Sequence, residues 1–206
     1  QSAREMGTAG ASYDAPPGLL TLRRQLARRS VSWGTALGEE DFVTTIGAAE
    51  ALHLAVRAVT RPGDAIAVES PTYFGVLQLI EALGLKAVEV PTHPRLGLDL
   101  DALEEVIART PSLKAVLAMP TVSNPLGTVM PDEAKERLVR LIARHDLALI
   151  EDDVYGELVF EAPRPRPAKA WDRDGRVILC GSVSKTLAPG YRVGWVSYSG
   201  TREYAR

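Results

Sequence analysis

The chain has 206 residues, with 24 Lys plus Arg against 26 Asp plus Glu and a formal net charge of -2. That length fits one large domain or two small ones, and the near-balanced charge leaves no footprint for nucleic acid or an anionic membrane. At 46% hydrophobic the chain can bury a core, and a single cysteine, Cys180, excludes an internal disulfide and any multi-thiolate metal site.

His53, His93 and His145 lie too far apart for a paired-histidine helix motif, so no metal site is expected. No apolar stretch approaches the roughly 18 residues of a membrane span. The opening residues lack a signal-peptide core, which points to the cytoplasm. The sequence starts at Gln1 rather than Met and stops at Arg206 without a finishing element, so a piece of a longer chain is expected.

In chain order, Leu19, Leu22 and Leu26 fall at helical spacing with arginines on the other face. Residues 42–46 read as a strand and 48–60 as a helix. The turn Arg61-Pro-Gly-Asp64 leads into a short strand over 65–68, then a helix over 73–83 that ends at Gly84. A strand over 86–90 precedes a helix over 99–108 that Asp99 can cap. Residues 115–119 form a strand stopped by Pro120, and Pro131 opens a helix running to about His145. Strands over 147–150, 177–180 and 193–196 complete the set.

Apolar strands separated by helix-length segments predict a three-layer α/β/α fold around a mostly parallel sheet. Ligands in such folds bind beyond the carboxyl ends of the strands, so function is sought in the residues there. After 42–46 comes Gly47-Ala48-Ala49, which either presents N–H groups to an anion or is a tight strand–helix connection. Tyr73 follows the next strand and can stack on a planar ligand or pack on its own helix. In Asn124-Pro-Leu-Gly127 the Asn marks a turn or donates to a ligand oxygen. Glu151-Asp152-Asp153 ends an apolar strand, where three carboxylates must be solvated, paired or turned toward a cation.

The chain holds five lysines, Lys86, Lys114, Lys135, Lys169 and Lys185. The first two precede strands, Lys135 reads as part of a polar helix face, and Lys169 lies in a loop rich in Pro and Arg. Lys185 alone follows a buried strand, in Gly181-Ser182-Val-Ser184-Lys185 with Arg192 seven residues on. A lysine there suits Schiff-base chemistry, and the chain has no P-loop motif to make it a nucleotide lysine.

Together these motifs resemble the large domain of fold-type I pyridoxal-phosphate enzymes, the class I/II aminotransferases. The resemblance runs from about Tyr13 to Trp195. It rests on Asn124-Pro-Leu-Gly127, on Asp152 with Tyr155, and on Ser182-Val-Ser184-Lys185 followed by Arg192-Val-Gly194. It implies that Lys185 forms the Schiff base with pyridoxal phosphate and that Asp152 faces the pyridine nitrogen. Tyr155 and Asn124 would then donate to the phenolic oxygen, with Tyr73 stacked on the ring. The amides of Ala48 and Ala49, with Ser182 and Arg192, would hold the phosphate, and Tyr13 would reach the phosphate of a neighbouring subunit. The implied partners are an amino acid or amine, a 2-oxo acid and a second copy of the chain.

A narrower resemblance links residues 147–158, 169–175 and 181–190 to the aminotransferase-like half of MocR-type regulators in the GntR family. Those proteins carry a winged helix–turn–helix ahead of this region, and none is expected within this chain. Glu50 and Tyr191 depart from the family pattern. On this reading residues 1–30 are an arm and first helix, and 31–206 are the cofactor-binding domain, truncated before the family's small C-terminal domain. The arginine that would bind the substrate carboxylate is then expected to lie outside the chain.

Overall fold

The computed structural model describes residues 14–160 and 163–199. The apolar runs form strands β1 (Phe42–Thr45), β2 (Ala65–Ser70), β3 (Lys86–His93), β5 (Leu113–Ala118), β6 (Ala148–Asp152), β7 (Val177–Ser182) and β8 (Gly194–Ser197). A two-residue edge strand, β4 (Gly97–Leu98), has no counterpart in the sequence pattern. Between them lie helices α1 (Leu20–Ser30), α2 (Ala48–Val59), α3 (Phe74–Ala82), α4 (Leu100–Arg109) and α5 (Asp132–Arg144). All eight strands join one sheet in the order β1-β8-β7-β6-β5-β2-β3-β4. The run from β7 through β6, β5 and β2 to β3 is parallel, and the outer pairings are antiparallel. The expected three-layer, mostly parallel architecture is what the chain adopts.

Strand alternation makes the layers. On one face Val116 and Leu149 pack with Leu103, Val106, Leu138 and Ile142 of α4 and α5. On the other, Leu117 and Ile150 pack with Ala51, Leu52, Val56, Val76 and Ile80 of α2 and α3. Burying each of the larger side chains contributes about 1.5–3 kcal/mol, so both faces must be covered for the sheet to stand. A third cluster seats α1, where Trp33 stacks parallel to Trp195 at 6.3 Å between centroids.

The helix ends follow local chemistry. Asp99 Oδ1 accepts from the backbone N–H of Asp101 and Ala102, each at 3.0 Å, satisfying two donors at the start of α4. Gly84 closes the third helix with φ of 66°, a conformation that costs glycine little.

Lys135 corrects the sequence reading, and Lys169 shares its surroundings. Lys135 is 0% exposed rather than on a polar face, and its Nζ donates to the Arg166 carbonyl at 2.7 Å. Lys169 is also buried, donating to the Val177 carbonyl at 2.6 Å and to Asp172 at 2.8 Å. The long connection between β6 and β7 lies over this side of α5 and hides charges that helix periodicity alone assigns to solvent. Neither amine is free for chemistry.

Candidate active site

Strands β2, β5, β6 and β7 run parallel, so their carboxyl ends open on one edge of the sheet beside the start of α2. A cavity of about 260 Å³ lies there. Ala48 and Ala49 line it from the first turn of α2, Tyr73 from just past β2, and Asn124 from the loop after β5. Asp152 and Tyr155 line it from the end of β6, and Ser182, Lys185 and Arg192 from β7 and the loop beyond. Every site residue named from the sequence is therefore in this cavity except Tyr13, which lies outside the described residues. Leu52, Met119, Val154, Ser184 and Pro189 complete the wall and were missed. Met119 had a signal, since it directly follows β5. The others are apolar or small and look like any core or loop residue.

The acidic triplet divides by geometry. Glu151 points to the α5 side of the sheet, where its carboxylate accepts from the N–H of Ala168 at 2.7 Å and of Lys169 at 2.9 Å. Asp153 pairs with Arg164, whose guanidinium also lies over the Trp33 ring at 5.4 Å. Asp152 faces the cavity, 4% exposed, and its Oδ1 is buried with no hydrogen-bond partner. Burial, and secondly the neighbouring Asp153, push the Asp152 carboxyl up to about 7. Such a group lacks a cationic N–H donor, and a protonated pyridine nitrogen is one. The residues present therefore fit the ring of the cofactor that the sequence implies.

Around the same cavity Asn124 Nδ2 donates to the Tyr155 hydroxyl at 3.4 Å. Lys185 is exposed, with Nζ 5.8 Å from the centre of the Tyr155 ring. The Tyr73 ring leans on Phe74 at 4.8 Å between centroids. Ser182 Oγ accepts from the Ser184 N–H at 3.2 Å. Glu69, which sequence reading also passed over, is buried nearby and accepts from the Met119 N–H at 2.9 Å. Burial raises its carboxyl to about 7.

An anion cradle occupies the other end. The first N–H groups of α2 have no intrahelical acceptor, and the helix dipole makes that end positive. Glu50 does not block it, because its Oε2 accepts from the Ile46 N–H at 2.6 Å. Arg192 donates to the Ile46 carbonyl at 2.9 Å and the Pro189 carbonyl at 3.2 Å, which holds its guanidinium beside Gly47. Gly47 has φ of 85°, and a Cβ there would overlap Arg192 Nη2. We expect Gly47→Ala to weaken phosphate-dependent cofactor binding at least tenfold, which fluorescence titration checks; binding equal to the parent contradicts the cradle.

The buried carboxylates also fix a pH dependence. Glu69, Glu151 and Asp152, each raised to about 7, hold protons more tightly folded than unfolded. The folded chain then binds more protons above the ordinary carboxylate range of about 4, and stability falls as pH rises from there through about 7. Urea midpoints without added cofactor should be higher at pH 5 than at pH 8, and Asp152→Asn should flatten that difference. A midpoint that rises with pH contradicts the assignment.

A mostly parallel sheet with a lysine, a buried carboxylate and an anion cradle at its carboxyl edge defines a cofactor-binding α/β domain. The chain belongs to the aminotransferase class I and II family, whose profile matches residues 1–203. It is 45% identical over 185 residues to the uncharacterized HTH-type transcriptional regulator YjiR of Escherichia coli (strain K12), covering 90% of this chain and 39% of that protein. It is 36% identical over 190 residues to aromatic-amino-acid aminotransferase 1 of Thermococcus litoralis, covering 90% and 45% of the two chains. Among solved structures it resembles LysN, the alpha-aminoadipate aminotransferase of Thermus thermophilus complexed with N-(5'-phosphopyridoxyl)-L-leucine. The TM-score is 0.86 at 30% identity, covering 96% of this chain and 51% of that one. The chain thus spans under half the length of these two curated relatives. No helix among the described residues is long and apolar enough to cross a membrane.

Proposed function

We propose that this chain is the cofactor-binding part of an aminotransferase, moving an amino group from an amino acid to a 2-oxo acid. Its cofactor is pyridoxal phosphate. The observation that carries the reading is the unpartnered Oδ1 of buried Asp152, facing a cavity that also holds Lys185 and Arg192. When bound, pyridoxal phosphate supplies an electron sink for the pair left as a substrate Cα loses its proton.

The chain's own residues do the rest. Asp152 accepts from the ring N–H and keeps that nitrogen protonated. Asn124 and Tyr155 donate to the phenolic oxygen, and Tyr73 covers the ring. The open N–H groups of Ala48 and Ala49, with Ser182 and Arg192, bind the phosphate. Lys185 would hold the cofactor covalently at rest, and its Nζ, once displaced by the incoming substrate amine, would be the free amine that carries the proton on and off the substrate Cα.

A second reading has a specific observation in its favour, the 45% identity to an HTH-type regulator against 36% to an aminotransferase. There the same pocket detects an amine without releasing product. The two separate by incubating the loaded chain with single L-amino acids and assaying the matching 2-oxo acid. Product in proportion to cofactor supports the transferase; a changed spectrum with no 2-oxo acid favours the sensor.

The chain is further proposed to work as a homodimer, with Tyr13 binding the partner's phosphate. Mixing Tyr13→Phe and Lys185→Ala chains should give hybrids with one intact site. No activity above that of the separate variants would exclude shared sites.

A further inference from the structure

We propose that a second groove, at the opposite end of the sheet from the active-site cavity, binds a phosphorylated small molecule. The groove has a volume of about 720 Å³ and lies between the last turns of α5 and the segment leading into β7. A six-residue strand such as β7 is about 20 Å long, so the two sites are separate. Arg140, Arg144, Arg173 and Arg176 line the groove against two acids, Glu136 and Asp174.

The buried arginine carries the inference. Arg176 is 7% exposed, and its Nη2 pairs with Asp146, whose side chain is 77% exposed. Its Nε and Nη1 are buried with no hydrogen-bond partner. A guanidinium has five donors, and buried donors are nearly always satisfied, so this cation is under-compensated. Its field acts through a poorly screening interior on whatever occupies the groove.

The other three arginines are available to such an occupant. Arg140 pairs with Glu136 at 2.6 Å and Arg144 with Glu104 at 3.3 Å, both on the exposed surface. Exposed pairs contribute about 0–1 kcal/mol, so they re-form readily around a stronger anion. Arg173 is exposed and makes no ion pair among the described residues. Guanidinium forks match phosphate oxygens, which selects that group over a point anion such as chloride. Trp171, Val139 and Ala143 form an apolar wall. The volume falls within the roughly 300–1,000 Å³ of small-molecule pockets and far exceeds one phosphate. The ligand class is therefore a phosphomonoester with an apolar organic body.

The test uses the chain loaded with pyridoxal phosphate and freed of excess, so that the active-site cradle is filled. Calorimetric titrations with inorganic phosphate and with phenyl phosphate run at one ionic strength, with sodium chloride as control. We expect one phenyl phosphate per chain, bound at least tenfold tighter than inorganic phosphate, with the cofactor spectrum unchanged. Arg173→Glu, which loses no partner on folding, should weaken it at least tenfold; Arg176→Met should do so wherever it folds. No binding, equal affinity for the two anions, undiminished binding to Arg173→Glu, or displacement of the cofactor would each overturn the proposal.

Discussion

Replacing Lys185 with Ala is expected to slow the transfer of the amino group by about 10²- to 10⁴-fold, the usual contribution of a positioned acid–base group. The fold should survive, because Lys185 is exposed and its amine makes no hydrogen bond or ion pair among the described residues. Lys185→Arg sharpens the result. It keeps the positive charge near Tyr155 but cannot release a proton at working pH. If Lys185 moves the proton, both variants are equally slow in single-turnover assays with an amino acid. An active Arg variant would mean that the charge alone matters.

The second large effect separates two adjacent carboxylates. Asp153 and Arg164 are a buried pair, with side chains 6% and 10% exposed. Asp153→Ala leaves a buried guanidinium without its main partner, a loss of about 3–5 kcal/mol. The Glu157 contact at 3.4 Å and the Trp33 face temper that loss. Asp152→Ala acts in the opposite sense. It removes a buried carboxylate with no partner for Oδ1, so the chain without cofactor should be at least as stable at pH 8 as the parent. Its cost falls on cofactor binding instead. Urea midpoints and cofactor titrations on the two variants should therefore rank them in opposite orders. Matching orders would show that the triplet does not divide as described.

The fold was legible because its central strands β2, β5, β6 and β7 are buried on both faces and its helix ends carry local signals. Asp99 and Gly84 act where the sequence puts them, while Pro131 stands one residue earlier than expected, as the N-cap of α5 rather than in its first turn. The edge strand β4 was not legible, since two residues carry no periodicity. The site was legible because its polar residues sit just past strands, where chain order and space agree. Within the acidic triplet, period two along β6 turns Asp152 and Glu151 to opposite faces, which the motif spacing to Tyr155 had already separated. What each rejected carboxylate does was hidden. Glu151 anchors the amides of Ala168 and Lys169, and Asp153 meets Arg164, both contacts made by the long β6–β7 connection. The burial of Lys135 and Lys169 depends on the same connection. Contacts across a loop have no sequence period, so helix-face arguments misplaced Lys135.

Whether Lys185 holds the cofactor can be read directly from one measurement. The chain is mixed with pyridoxal phosphate, reduced with borohydride and digested, and the modified lysine is located by mass spectrometry. A single modified site at Lys185 is expected, because Lys135 and Lys169 are buried and paired and Lys86 and Lys114 lie outside the cavity. A stoichiometric label on any other lysine, or no label, would contradict it.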